Sequence, residues 1–315
     1  ILTILGILVI IYFGFSIKWA NETSDIEALL GDVAPKLLID GHNHRDLNKN
    51  GILDVYENPN ESIQDRVENL ISQMTIEEKS GAMFFNMIGV NQDGSLMEYP
   101  NFSDPFSFLM GSSLEKLVIK KMNHFNTRAS YDKDKMLSWY NTIQKVGERS
   151  RLGIPITIAS DPRHGVPETF GASIYTPYFS KWPSALGMGA TRDSLLVYEH
   201  AKIVREEYKA IGIRVALGPM ADTATEPRWT RINGTFGEDA ELNSKLITAY
   251  IKGIQGDSID INSVAAMVKH FPGSGPLDKG KDSHFPPGIQ SYKGNNFEHH
   301  LKPFEAAFKA GVSSV

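Results

Sequence analysis

The stretch VYEHAKIVREEYKAIGIRVALGP, from Val197 to Pro219, decides the fold class. Val197, Ala201, Val204, Tyr208 and Ile211 recur at helical spacing, so one face of this segment is apolar. Gly212 then stops the helix, and IRVAL (Ile213–Leu217) follows at once as the short apolar run of a buried strand. The same order returns later. Phe297, Leu301, Phe304 and Phe308 mark a helix, Gly311 ends it, and a strand is expected from Val312. IPITIA (Ile154–Ala159) and VAAMV (Val264–Val268) read as two further strands. Strands that alternate with amphipathic helices build a parallel sheet from βα units. The turns from helix to strand are minimal, whereas the segments after the strands are long and polar: Ser160–Thr191, Gly218–Glu238 and Lys269–Asn296. Long loops on one end of every strand are how a (β/α)8 barrel assembles an active site. An α/β fold is therefore expected, a TIM-like (β/α)8 barrel that is incomplete in this chain. A doubly wound sheet is the rival, but no G-x-G-x-x-G follows any of these strands.

Composition narrows the function classes. The chain has 315 residues, 37 acidic against 32 basic, and a formal net charge of −5. A mildly acidic chain lacks the basic face that phosphate backbones require, so no nucleic-acid partner is expected. Hydrophobic residues make up 41%, which excludes a disordered chain and a multi-pass membrane protein. Cysteine is absent, which excludes disulfides, thiolate nucleophiles and Cys-held metals.

The first 17 residues, ILTILGILVIIYFGFSI, are apolar and closed by Lys18. Residues 1–20 read as a signal peptide or membrane anchor, with a buried core helix as the alternative. The folded part is then exported, and contact with a membrane runs only through this segment. Residues 21–60 read as a linker containing a metal-loop motif, and residues 61–315 as the barrel. In the latter, Ser62-x-x-Asp65 and Thr75-x-x-Glu78 signal two helix starts. The region Gly89–Lys135 is less periodic and reads as loops.

Three strand ends deliver polar clusters: Ser160-Asp161-Pro162-Arg163-His164-Gly165, then Glu226-Pro227-Arg228-Trp229-Thr230-Arg231, and Lys269-His270-Phe271-Pro272-Gly273. A carboxylate, cations and an indole on one rim suit a polyhydroxylated substrate, whose hydroxyls need donors and acceptors and whose C–H face needs an aromatic ring. Each cluster also has a plainer reading. Arg228 could pair with Glu226, Glu238 or Asp239, and Trp229 could be core. His42, His44, His299 and His300 form no metal set and read as solvated.

These segments, SDPRHG, GPMAD, EPRWTR with TFGED, and KHFPGSGP, resemble glycoside hydrolase family 3, and QDRVENLISQMTIEEKSGAMF resembles its opening helix. The resemblance covers roughly Asp46 to Val315. It implies a retaining exo-β-glucosidase that acts on β-linked oligosaccharides or glycosides and needs no cofactor for catalysis. It implies that Asp161, Arg231, Lys269 and His270 bind the sugar next to the scissile bond. Retaining hydrolysis needs two carboxylates about 5–5.5 Å apart. By resemblance, the nucleophilic aspartate and the acid/base carboxylate lie beyond residue 315, so no catalytic residue is assigned in this chain. Thr230 stands where the family usually has glycine. Lys281-Asp282-Ser283-His284 is similar to the β-N-acetylhexosaminidase branch, where an Asp–His pair is the acid/base. That branch, with His284 and Asp282 in the role, is one alternative, and a non-hydrolytic sugar-binding fragment is the other.

DLNKNGILDVYE (Asp46–Glu57) fits D-x-[DN]-x-[DN]-G-x5-E, an EF-hand calcium loop. Asp46, Asn48, Asn50, Asp54 and Glu57 would supply side-chain oxygens and Ile52 its carbonyl to a structural Ca2+. The alternative is an Asn/Asp/Gly turn that needs no ion.

Overall fold

A computed structural model of the chain describes residues 2–100, 105–165, 177–286 and 288–315. Part of the long loop expected after Asp161 lies outside these residues. The chain divides into two compact units: Ile1–Thr127 with Asp134–Thr157, and Arg128–Lys133 with Ile158–Val315.

The first unit opens with α1 (Leu2–Glu27), so the polar segment read as a linker is helical in its first part. Among the described residues no helix is long and apolar enough to cross a membrane. The rest of that segment enters a hairpin of β1 (Lys36–Ile39) and β2 (His42–Arg45), paired antiparallel with Ile39 opposite His42. Asp40 and Gly41 both have positive φ (48° and 77°), the two-residue turn whose twist matches a hairpin. The Asp-Gly signal was there to be read, but a run of only four residues on either side hid it. Helices α2 (Ile63–Gln73) and α3 (Ile76–Ala82) start where the caps placed them. Ser62 Oγ accepts the Asp65 amide at 3.1 Å, and Thr75 and Glu78 form a reciprocal capping box. Strands β3 (Phe85–Ile88) and β4 (His124–Thr127) pair in parallel, so the region 89–135, read as loops, also holds a strand. HFNT is too short and too polar to show an apolar period. Helix α4 (Lys133–Glu148) follows and buries Met136, Trp139, Ile143 and Val146.

The second unit carries the alternation that the sequence announced. It runs β5 (Thr157–Ser160), α5 (Ala185–Thr191), α6 (Ser194–Ala210), β6 (Ile213–Ala216), α7 (Ala240–Gln255), β7 (Ala265–Ala266) and α8 (Phe297–Lys309). β6 pairs in parallel with β5 and with β7. Consecutive residues Ile158 and Ala159 are both fully buried, as in a sheet covered on both faces. The strand expected from Val312 is a single parallel bridge, Met267 to Ser314. Gly212 and Gly311 have φ of 84° and 77°, the left-handed conformation that lets the chain reverse directly from helix to strand.

Helix α7 packs against α6 and α8 and buries Leu246, Ile247, Ile251 and Ile254 completely. Each is worth about 1.5–3 kcal/mol of transfer free energy. At its end Gln255 is a buried staple. Its Nε2 donates to the Gly311 carbonyl at 2.9 Å, while Oε1 accepts the Ala266 amide at 2.9 Å and the Ser313 hydroxyl at 2.7 Å.

Candidate active site

The polar clusters of the second unit emerge where its strands end. β5 stops at Ser160, and Asp161 is clamped through its backbone. The Asp161 carbonyl accepts the Ser160 hydroxyl at 2.7 Å and the Tyr208 hydroxyl, from α6, at 2.9 Å. Arg163 is buried behind this corner and donates to Ser160 Oγ at 2.6 Å and to the Arg128 carbonyl at 3.0 Å. The Asp161 carboxylate meets Lys269 Nζ at 2.6 Å. Lys269 in turn is held by the loop after β6: its amide donates to the Pro219 carbonyl at 3.1 Å and its carbonyl accepts the Ala221 amide at 2.7 Å. His270 follows, and its Nε2 stands 3.0 Å from Arg231 Nη2. The structure therefore brings Asp161 to Lys269 and His270 to Arg231, on two adjacent residues of one segment.

This constellation offers one carboxylate acceptor and two cationic donors, all part-exposed. Hydroxyls that enter it find charge-assisted partners of both kinds. Two other acids of the motifs are already engaged. Glu226 accepts the Arg228 amide at 2.9 Å and pairs with its guanidinium at 2.8 and 2.6 Å, so the plainer reading of Arg228 holds. Asp239 caps α7 by accepting the Glu241 and Leu242 amides.

Trp229 is no sugar platform. It is 1% exposed, packed with Met220 and Leu277, and its Nε1 donates to Asp282 Oδ2 at 2.9 Å. A flanking pair of arginines gave it the look of a rim residue. Asp282 also accepts the His284 amide at 3.0 Å and lies 2.5 Å from His284 Nδ1, so the Asp–His pair seen in the sequence does form. Burial opposes its charge, but the donors from His284 and Trp229 prevail and hold its pKa down to about 2. His284 itself is exposed.

Behind Asp161, His164 is buried with Nε2 at 2.8 Å from Glu207 Oε2, and burial pushes the imidazole below its usual pKa. His300 is 1% exposed and not solvated as expected, because Tyr292 packs edge-on against it and Thr225 Oγ1 lies 3.4 Å away.

One acid escaped the sequence reading. Asp222, in GPMAD, is completely buried and faces His270 Nδ1 at 2.9 Å. Its place just beyond a strand was the available signal, but nothing in its neighbours showed which residue it would meet.

In the first unit, the residues expected to hold calcium lie in one turn, but their oxygens serve the turn itself. Asp46 accepts the Asn50 and Gly51 amides at 3.0 and 2.8 Å. Glu57 accepts the Leu47, Asn48 and Asp54 amides. Asp54 Oδ2 accepts both the Asn48 and Asn50 side-chain amides, at 2.8 and 2.7 Å, and Ile52 is exposed. Among the described residues no group of three or more His, Asp or Glu is arranged to hold a metal. As placed, this donor set does not fit a calcium ion, because donors already fill the positions a cation would share. The same unit has a cavity of about 520 Å3 lined in part by Lys49, Arg149, Arg151 and Glu78. Three of its cations serve the fold: Lys49 donates to the Glu148 and Ser150 carbonyls, Arg149 to the Gly31 carbonyl, and Arg151 to Glu78.

With this geometry in hand, the chain can be set beside known proteins. Residues 116–315 match the glycosyl hydrolase family 3 N-terminal domain. The β-glucosidase C of Emericella nidulans is 44% identical over 277 residues, which are 87% of this chain and 43% of that protein. A periplasmic β-glucosidase/β-xylosidase of Dickeya chrysanthemi is 38% identical over 286 residues, 90% of this chain and 43% of that protein. The crystal structure of a β-glucosidase from Listeria innocua in complex with glucose superposes with a TM-score of 0.59. It is 26% identical, over 81% of this chain and 32% of that one. The chain thus spans less than half the length of the curated relatives it matches.

Proposed function

The chain belongs to glycosyl hydrolase family 3, with the TIM-like (β/α)8 barrel of that family's N-terminal domain, and we propose that it supplies the sugar-binding half of an exo-acting, retaining β-glucosidase. The observation that carries this reading is the Asp161–Lys269 pair at 2.6 Å beside the His270–Arg231 pair at 3.0 Å. Together they give a carboxylate to accept from sugar hydroxyls and cations to donate to them. Such contacts strengthen as the ring moves toward an oxocarbenium ion, since the hydroxyls become more acidic there. The nucleophilic aspartate and the acid/base carboxylate are assigned to residues outside this chain, and none of Asp161, Asp222 or Asp282 is given those roles. No cofactor enters the chemistry, and the substrate is a β-linked oligosaccharide or glycoside. The protein is exported; the apolar stretch before Lys18 and the periplasmic name of the Dickeya relative support this.

A second reading is a β-N-acetylhexosaminidase, favoured by the formed Asp282–His284 pair. The bond from Trp229 to Asp282 gives that pair a role in holding a buried indole instead. The full-length gene product should hydrolyse 4-nitrophenyl β-D-glucoside faster than the corresponding N-acetylglucosaminide, and Asp161→Asn should remove the activity. The reverse preference, lost in His284→Gln, would establish the second reading. Binding of glucose without turnover of either substrate would establish a sugar-binding module.

A further inference from the structure

Asp222 is fully buried and takes no part in the chemistry above. Its carboxylate collects donors from one segment. Oδ2 lies 2.9 Å from His270 Nδ1, Oδ1 accepts the Ser274 amide at 2.5 Å, and the His270 amide stands 3.3 and 3.4 Å from the two oxygens. Across the imidazole, His270 Nε2 is 3.0 Å from Arg231 Nη2. A guanidinium has donors and no acceptor. Nε2 must therefore carry the lone pair, which places the ring proton on Nδ1, where the carboxylate accepts it. The other tautomer would set N–H against N–H at Arg231 and a bare lone pair against Asp222. Both ends of the ring demand the same answer.

We propose that Asp222 is a positioning residue. It fixes His270 as the Nδ1–H tautomer and, through the Nε2 lone pair, aims the Arg231 guanidinium. The aim toward a sugar rests on the function proposed above; the tautomer does not. A buried aspartate that orients a histidine by accepting from Nδ1–H is the logic of hydrolase triads, where the amide replacement keeps the shape and installs the wrong tautomer. Here the histidine orients a cation. One Arg231 N–H is committed to His270, and the rest of the fork is held in a single direction without loss of its charge. Lys269, spent on Asp161, and Arg231, anchored on His270, are thus both pre-set before substrate arrives.

The test is 15N NMR of the histidine-labelled full-length protein, with the His270 signals assigned by their loss in His270→Gln. The unmodified protein should show Nδ1 protonated and Nε2 bare near neutral pH. Asp222→Asn keeps the size and an acceptor for the Ser274 amide, but turns an NH2 group toward Nδ1. The proton should move to Nε2, and D-glucose should bind about tenfold more weakly or worse. Nε2 protonated in the unmodified protein would overturn the proposal without any variant. So would Asp222→Asn that keeps the Nδ1 proton, or that moves it with glucose affinity unchanged. An unmodified protein with the expected tautomer that binds no glucose would overturn the sugar-site reading and leave the Asp222–His270 assignment standing.

Discussion

Replacing Gly275 with alanine tests how far the site depends on the close approach of two backbone segments. Gly275 belongs to KHFPGSGP, and a Cβ built there would stand 1.7 Å from the Thr223 carbonyl oxygen, 2.5 Å from its carbon and 3.3 Å from the Ala224 nitrogen. Cβ atoms essentially never come within 3.0 Å of a heavy atom, so the segments must part by at least 3.0 − 1.7 = 1.3 Å. All three atoms are backbone, and no side-chain rotation relieves the clash. Two hydrogen bonds span the same seam: the Glu226 amide to the Gly275 carbonyl at 3.1 Å, and the Ser274 amide to Asp222 at 2.5 Å. The displacement therefore reaches Asp222 and, through it, His270. Overpacking of this kind costs about 1–3 kcal/mol, or a fall in Tm of roughly 2–12 °C for a domain of this size. A misplacement of about 1 Å at a reacting centre costs on the order of 100-fold in rate. Thermal unfolding and kcat/KM on an aryl β-glucoside measure the two. Gly311→Ala is the control, since nothing lies within 4 Å of its Cβ and only its φ of +77° resists substitution. It should cost about 1–2 kcal/mol of stability with kcat/KM retained. If Gly275→Ala matched the unmodified protein in both Tm and kcat/KM, the close approach would be refuted.

Three further outcomes are expected. Lys269→Met keeps the length of the side chain but removes its charge from Asp161, and should weaken D-glucose binding about 10- to 100-fold by calorimetry; affinity within twofold would remove the pair from the site. Burial, with the neighbouring His164 and His299 adding to it, holds His200 and His300 down to about 4. Because the folded values lie below the unfolded one, their stabilisation is complete above pH 6.5 and is lost as pH falls toward 4. By pH 5 each should remove about 2 kcal/mol, read as a lower urea midpoint than at pH 7.5, with part of the loss absent in His200→Gln; equal midpoints would count against it. In the Asp46–Glu57 turn, excess calcium should leave Tm unchanged, whereas Asp46→Ala, which strands the Asn50 and Gly51 amides, should cost about 1–3 kcal/mol. A calcium-dependent rise in Tm that Asp54→Asn abolishes would restore the ion.

What could be read in advance followed from where each signal resides. The caps at Ser62 and Thr75 act over three residues, so sequence spacing alone places them. The same holds for α6, whose apolar period runs through 17 residues, and for β6, whose apolar run follows directly on the glycine that ends that helix. β4 was hidden because four residues, three of them polar, carry no period. The calcium motif was legible as a pattern of oxygens, but a pattern does not say whether those oxygens face an ion or the amides of their own turn.

The chain by itself determined the alternation of strand and helix, the glycine reversals at Gly212 and Gly311, and the strand ends that carry polar residues. These are local consequences of period and backbone freedom. Only the tertiary structure decided which polar residues meet. Asp161 and Lys269 are 108 positions apart and close to 2.6 Å, and Asp222 and His270 are 48 apart and close to 2.9 Å. It also turned Trp229 from the rim into the core. Spacing along a chain fixes the face of a helix or strand, but a contact between loops depends on how distant elements pack. That packing gives His270 one carboxylate and one guanidinium as neighbours, and with them its tautomer.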